Sequence, residues 1–203
     1  MIHIINYGLG NLGSIQNMLK KTGHSSKIVS NPDELGSATK IILPGVGSFD
    51  TGIRNLSDGN WLNILNEKVL VERIPVLGIC LGLQLMCKTS EEGRLEGLGW
   101  FDAHVKKFEF TDMQYKVPHI GWNNAYQKKT SKLFNDHVEK RRYYFVHSFY
   151  VEASLEEDTL TETDYGFRYA SALEKENMIG VQFHPEKSHI FGLSMLKNFA
   201  ENY

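Results

Sequence analysis

The sequence is short of cysteine, of long apolar runs and of charge of one sign, and each shortage removes a class of protein. Two cysteines in 203 residues, Cys80 and Cys87, give no disulfide framework. If both lay on one helix, at about 1.5 Å rise per residue they would stand roughly 10 Å apart, too far to bridge. No apolar run approaches the roughly 18 residues that span a bilayer, so no membrane partner is expected. No basic segment precedes the first apolar run, which stops at Asn6, and no secretory leader is read. Lysine and arginine number 22 against 24 acidic side chains, so no field of one sign invites nucleic acid or a membrane surface. Repeats, low-complexity tracts and an interdomain linker are missing as well. These exclusions leave one domain over residues 1–203, long enough to bury a substantial core and expected in the cytoplasm.

What is present is an alternation of strand and helix signals. Strands are predicted at residues 2–7, 27–30, 40–43 and 75–79. Helices are predicted at 14–22, with Ser14 as cap, at 48–56 and at 61–71. That order argues for a parallel α/β sheet with right-handed crossovers. After Cys87 the texture changes. A polar, glycine-bearing stretch at 89–99 leads into strand-like segments at 101–110, 117–126, 143–151, 159–163, 169–173 and 178–183, and a last helix runs over 191–202. The second half should extend the sheet, partly antiparallel. The fold class is therefore an open, mixed, mainly parallel sheet flanked by helices, of flavodoxin-like type.

The most informative run is Pro75 to Met86. Its apolar first half reads as a buried parallel strand and ends at Cys80, with Gly78 and Gly82 two residues to either side. Leu81 to Cys87 then continues at helical spacing. A small residue wherever the backbone must bend is the logic of the nucleophile elbow, with cysteine in place of serine. Such a turn exposes the central side chain at the carboxyl edge of the sheet, at a helix N-terminus that favours a thiolate. A buried structural cysteine is the other reading of the same run.

Three more stretches bear on that choice. Gly8, Gly10 and Gly13 match a G-x-G-x-x-G pattern after a strand, with Asp33 about 20 residues on, as in dinucleotide sites. Asp33 sits in an Asn-Pro-Asp turn, however, and a short glycine motif often only lets a loop pack tightly. Pro44, Gly45, Val46 and Gly47 stop the third strand, where free N–H groups could hold an oxyanion beside Cys80. His184, Pro185 and Glu186 end the last strand, so that a base and its orienting carboxylate could meet the cysteine. A zinc site of the same residue types is conceivable, but the spacing matches no metal motif. Elbow, glycine turn and histidine all belong at one sheet edge, where ligands bind in open α/β folds.

These stretches together resemble the class I (triad) glutamine amidotransferases from Met1 nearly to Tyr203. Within that class the chain is most similar to the glutaminase subunits of imidazole glycerol phosphate synthase, through residues 6–11, 117–123 and 144–148. The resemblance implies Cys80 as nucleophile, His184 as general base and acid, and Glu186 as the residue that orients it. Gly47 and Leu81 would hold the oxyanion; Val46, Gln84, Ser148 and Phe149 would contact L-glutamine. Asn11, Trp122, Tyr144 and Lys187 would face a synthase (cyclase) partner of (β/α)₈-barrel type in a heterodimer. The implied activity is hydrolysis of glutamine to glutamate, with ammonia channelled to the partner, which makes imidazole glycerol phosphate and an aminoimidazole carboxamide nucleotide in histidine biosynthesis. No cofactor and no metal are implied, and the glycine pattern at Gly8 becomes an interface loop. One departure is the stretch 96–103, which looks more like relatives that feed ammonia to nucleotide-sugar enzymes of surface-polysaccharide synthesis. A stand-alone cysteine hydrolase on the same elbow is the remaining alternative.

Overall fold

The computed structural model describes residues 1–134 and 140–203. Its first half runs β1 (Ile2–Ile5), α1 (Leu12–Lys21), β2 (Ser26–Val29), β3 (Lys40–Gly45), α2 (Phe49–Asp58), α3 (Trp61–Asn66), β4 (Val76–Cys80) and α4 (Leu81–Leu85). The second half adds β5 (Thr89–Ser90), β6 (Ala103–Lys107), β7 (His119–Gln127), β8 (Arg141–His147), β9 (Phe149–Ala153), β10 (Thr159–Tyr165), β11 (Phe167–Lys175), β12 (Met178–Val181) and α5 (His189–Asn202). Among the described residues the main sheet runs β2-β1-β3-β4-β12-β11-β10-β7-β8. From β2 to β12 the neighbours are parallel; from β12 outward to β8 they are antiparallel. β9 leaves β11 as a branch that carries β6 and β5.

The central strands are apolar on both faces because both are covered. In β3, Ile41 and Leu43 point into a core with Phe49, Leu56, Trp61 and Leu65 of α2 and α3. Ile42 between them joins the opposite core, with Ile15 and Leu19 of α1 and Leu196 and Phe199 of α5. The fold is thus the three-layer mixed α/β sheet expected.

Two local expectations change. The cap of α1 is Asn11, three residues before Ser14, which lies exposed inside the helix. The Asn11 amide does not cap; it reaches across the molecule to Glu186, as described below. The strand expected over 143–151 is two strands, because the chain changes neighbours at Ser148. β8 pairs with β7, whereas β9 pairs with β6 and β11.

Gly82 explains how α4 sits so close to the sheet. A Cβ built there would lie 1.8 Å from the backbone oxygen of Leu43 in β3, an atom fixed by the strand ladder. Gly82→Ala should therefore cost about 3 kcal/mol, the upper range for forced overpacking, measured as a lower midpoint in chemical denaturation.

Candidate active site

Cys80 ends β4 and opens α4 with φ 53° and ψ −107°, a conformation that a non-glycine residue adopts only under constraint. The constraint is the glycine on each side: α4 packs back onto β3 and β4, and the side chain is turned out at the sheet edge. Parallel pairing sets Gly45 of β3 opposite Cys80 and Val181 of β12 opposite Ile79. The chain leaving β12 therefore passes the elbow. There the His184 N–H donates to the Tyr144 carbonyl at 2.9 Å, which ties this segment to β8. Ser188 Oγ donates to the His184 carbonyl at 2.6 Å and accepts from the Tyr144 N–H at 3.0 Å.

His184 is 1% exposed. Its Nδ1 lies 2.7 Å from Glu186 Oε1, and the same oxygen accepts from Asn11 Nδ2 at 3.1 Å. Burial alone would lower the imidazole pKa, but interaction with Cys80 and Glu186 outweighs it and raises the value to about 10. Glu186 is opposed by its own burial, yet the bonds from His184 and Asn11 hold its carboxyl below the ordinary range. Glu186 on one ring nitrogen and Cys80 beside the ring thus both favour the protonated imidazole. Its Nε2 is buried without a conventional hydrogen bond, free to exchange a proton with a group in front of it.

In front lies a cleft of about 400 Å³, walled by Asn11, Val46, Gly47, Cys80, Leu81 and Gln84 on one side. Ser148, Phe149, His184 and Lys187 line it as well. Of the residues singled out from sequence, ten line this space. Glu186 stands behind His184, and Trp122 and Tyr144 lie outside the cleft. Those two rings meet edge to face at 6.3 Å, Lys187 Nζ sits 5.7 Å from the Tyr144 ring centre, and Trp122 is 38% exposed.

Glu92, Pro118, Val146 and His147 also line the cleft, and sequence reasoning did not single them out. Glu92 comes from the polar stretch after Cys87, where no periodicity marks a role; its Oε2 accepts the Phe49 N–H at 2.8 Å and so caps α2. Burial raises its carboxyl above the usual range. The Gly8–Gly13 loop reaches the site through Asn11, while Asp33 lies in a turn after β2 with its N–H on Asn31 Oδ1. Residues 96–103 pack elsewhere: Trp100 is buried with its Nε1 on Asn66 Oδ1 at 2.8 Å, and none of the stretch lines the cleft.

A cysteine on a strained strand-to-helix turn, facing a histidine held by a carboxylate, defines an elbow enzyme equipped for acyl transfer through sulfur. The chain belongs to the class I glutamine amidotransferase family, whose model matches residues 3–202. It is 48% identical over 201 residues to imidazole glycerol phosphate synthase subunit HisH 2 of Methanococcus maripaludis, covering 99% of each chain. It is 43% identical over 202 residues to subunit HisH of Leptospira interrogans, covering 98% of this chain and 99% of that one. Among solved structures it is similar in fold to a glutamine amidotransferase, with a TM-score of 0.75, 16% identity and 98% of both chains covered. It also resembles a chain of PurLQS from Thermotoga maritima, with a TM-score of 0.72, 17% identity and 98% and 94% covered.

Proposed function

We propose that this chain is the glutaminase subunit of an imidazole glycerol phosphate synthase, with Cys80, His184 and Glu186 as its triad. The observation that carries the catalytic part is the buried His184–Glu186 pair, with Nδ1 2.7 Å from Oε1, at the wall of the cleft that holds Cys80. An imidazolium beside the sulfur stabilises the attacking thiolate as one half of an ion pair. The thiolate attacks the side-chain carbonyl of glutamine, and the oxyanion is received by the N–H groups of Gly47 and Leu81. His184 passes its proton to the departing nitrogen, ammonia leaves and a thioester remains. Neutral His184 then takes a proton from water, hydroxide attacks the thioester, and glutamate is released as the proton returns to the Cys80–His184 pair. Gln84, Val46 and the Ser148–Phe149 backbone would position the substrate.

The partner reading rests on the full-length likeness to synthase subunits and on the rim of the cleft. Asn11 and Lys187 line it, Lys187 Nζ lies over the Tyr144 ring, Tyr144 meets Trp122, and Ile120, 58% exposed, shares the outer face of β7 with Trp122. A (β/α)₈ barrel docked there would receive ammonia before it reached solvent. The test is glutamate release by the chain alone, with a candidate barrel partner, and with the partner loaded with the histidine-pathway nucleotide. The expected result is slow release alone and a large increase in the loaded complex. Robust turnover without any partner would overturn the reading in favour of a stand-alone hydrolase; activation only by a nucleotide-sugar enzyme would assign the ammonia elsewhere.

A further inference from the structure

Gln182 stands two residues before His184 and is fully buried. Its Nε2 donates to Cys80 Sγ at 3.7 Å, within hydrogen-bonding range for sulfur. Its Oε1 accepts from Gln84 Nε2 at 3.1 Å, and Gln84 Nε2 also donates to the Phe149 carbonyl at 3.2 Å. The chemistry of the last acceptor decides the direction of the whole chain. A backbone carbonyl can only accept, so the Gln84 atom facing it must be the amide nitrogen. Both hydrogens of that nitrogen are then committed, one to Phe149 and one to Gln182. Gln182 must therefore present oxygen to Gln84 and its own amide nitrogen to the sulfur. The Phe149 carbonyl is itself held, by His147 Nδ1 at 2.7 Å. That nitrogen must carry hydrogen, leaving His147 Nε2 to accept from Tyr169 OH at 3.1 Å. Burial lowers the His147 pKa to about 3, so this ring stays neutral and the arrangement has no competing protonation state near neutral pH.

We propose that Gln182 is a further catalytic residue, a buried donor that holds negative charge on Cys80 Sγ and whose direction is imposed by Phe149 and Gln84. A hydrogen bond to an ionised acceptor is stronger than one to a neutral acceptor. The Gln182 amide therefore favours the sulfur when it is a thiolate, before attack and again when it leaves the thioester. His184 supplies and removes the proton; Gln182 stabilises the charge.

The inference rests on Cys80 being the nucleophile, and its test is separable from the choice of substrate. Gln182→Met keeps the length and bulk of the side chain and deletes the amide. Alkylation of Cys80 by iodoacetamide at mildly acidic pH, where protons compete hardest for the sulfur, should slow roughly tenfold, as expected for a lost hydrogen bond to a charged group. The thiolate ultraviolet absorbance should fall in the same samples. With glutamine and the loaded partner complex, kcat should fall with little change in KM. Unchanged alkylation and absorbance, or a loss confined to KM, would overturn the proposal and leave Gln182 as packing. If Gln182→Met does not fold, as judged by circular dichroism, Gln182→Asn gives the same reading, since a shorter side chain withdraws the amide from the sulfur. A wild-type protein that alkylates rapidly at Cys80 but ignores glutamine would instead count against the proposed substrate while leaving the Gln182 inference standing.

Discussion

Cys80→Ala is expected to reduce glutamate release to background while the synthase complex continues to work when ammonia is supplied directly. The loss should be on the order of 10⁶-fold if the assay can follow it, the scale seen when a nucleophile acting as part of a unit is deleted. The substitution is small: Cys80, 8% exposed, sits where the buried cluster around Ile79 and Val181 meets the cleft, and the change removes only one sulfur there. It should therefore leave the fold and the partner surface intact. The two readings of this cysteine separate cleanly here. A structural cysteine predicts a modest stability change with activity kept; a nucleophile predicts the reverse. Loss of the ammonia-driven reaction as well would mean that Cys80 supports the complex rather than the chemistry.

The parts of the fold and site that were legible in the sequence are the ones set by local rules. The Pro75–Ile79 run leading to Cys80, which Gly78 and Gly82 bracket, reads as a buried strand turning sharply into a helix, and His184 with Glu186 two residues on could share one strand end. What was not legible depends on contacts between distant segments. Asn11 lies in a loop whose glycines spell a dinucleotide motif, and its bond to Glu186 spans 175 positions. Ser148 sits inside a run that reads as one strand, and only the choice of neighbours on either side breaks it. Gln182 was visible in the strand yet had no assigned use, because its contacts with Cys80 and Gln84 each span about a hundred positions. Residues 96–103 resembled relatives with another ammonia acceptor, but that the Trp100 ring is buried with its Nε1 on Asn66 was not legible in the stretch.

Glu186→Gln and His184→Ala should differ in size and in kind. Deleting the imidazole removes the proton carrier, and general acid–base catalysis is worth roughly 10²–10⁴-fold even before the ion pair with Cys80 is counted. The glutamine variant keeps the histidine. Asn11 Nδ2 donates to the same oxygen that faces His184 Nδ1, so the introduced amide must keep its oxygen toward both donors. The histidine tautomer is then preserved, and the loss should be roughly 10–100-fold, the scale of an orienting partner. What changes is charge. The Glu186 carboxylate is one of the groups that raise His184 to about 10 against the opposing effect of burial. Without it the imidazolium is less favoured, and His184 loses its proton at lower pH. The alkaline limb of the kcat/KM profile, where the enzyme can no longer protonate departing ammonia, should therefore move down from about 10 in Glu186→Gln. Equal losses in the two variants, or an alkaline limb that stays in place, would show that Glu186 does not act through His184.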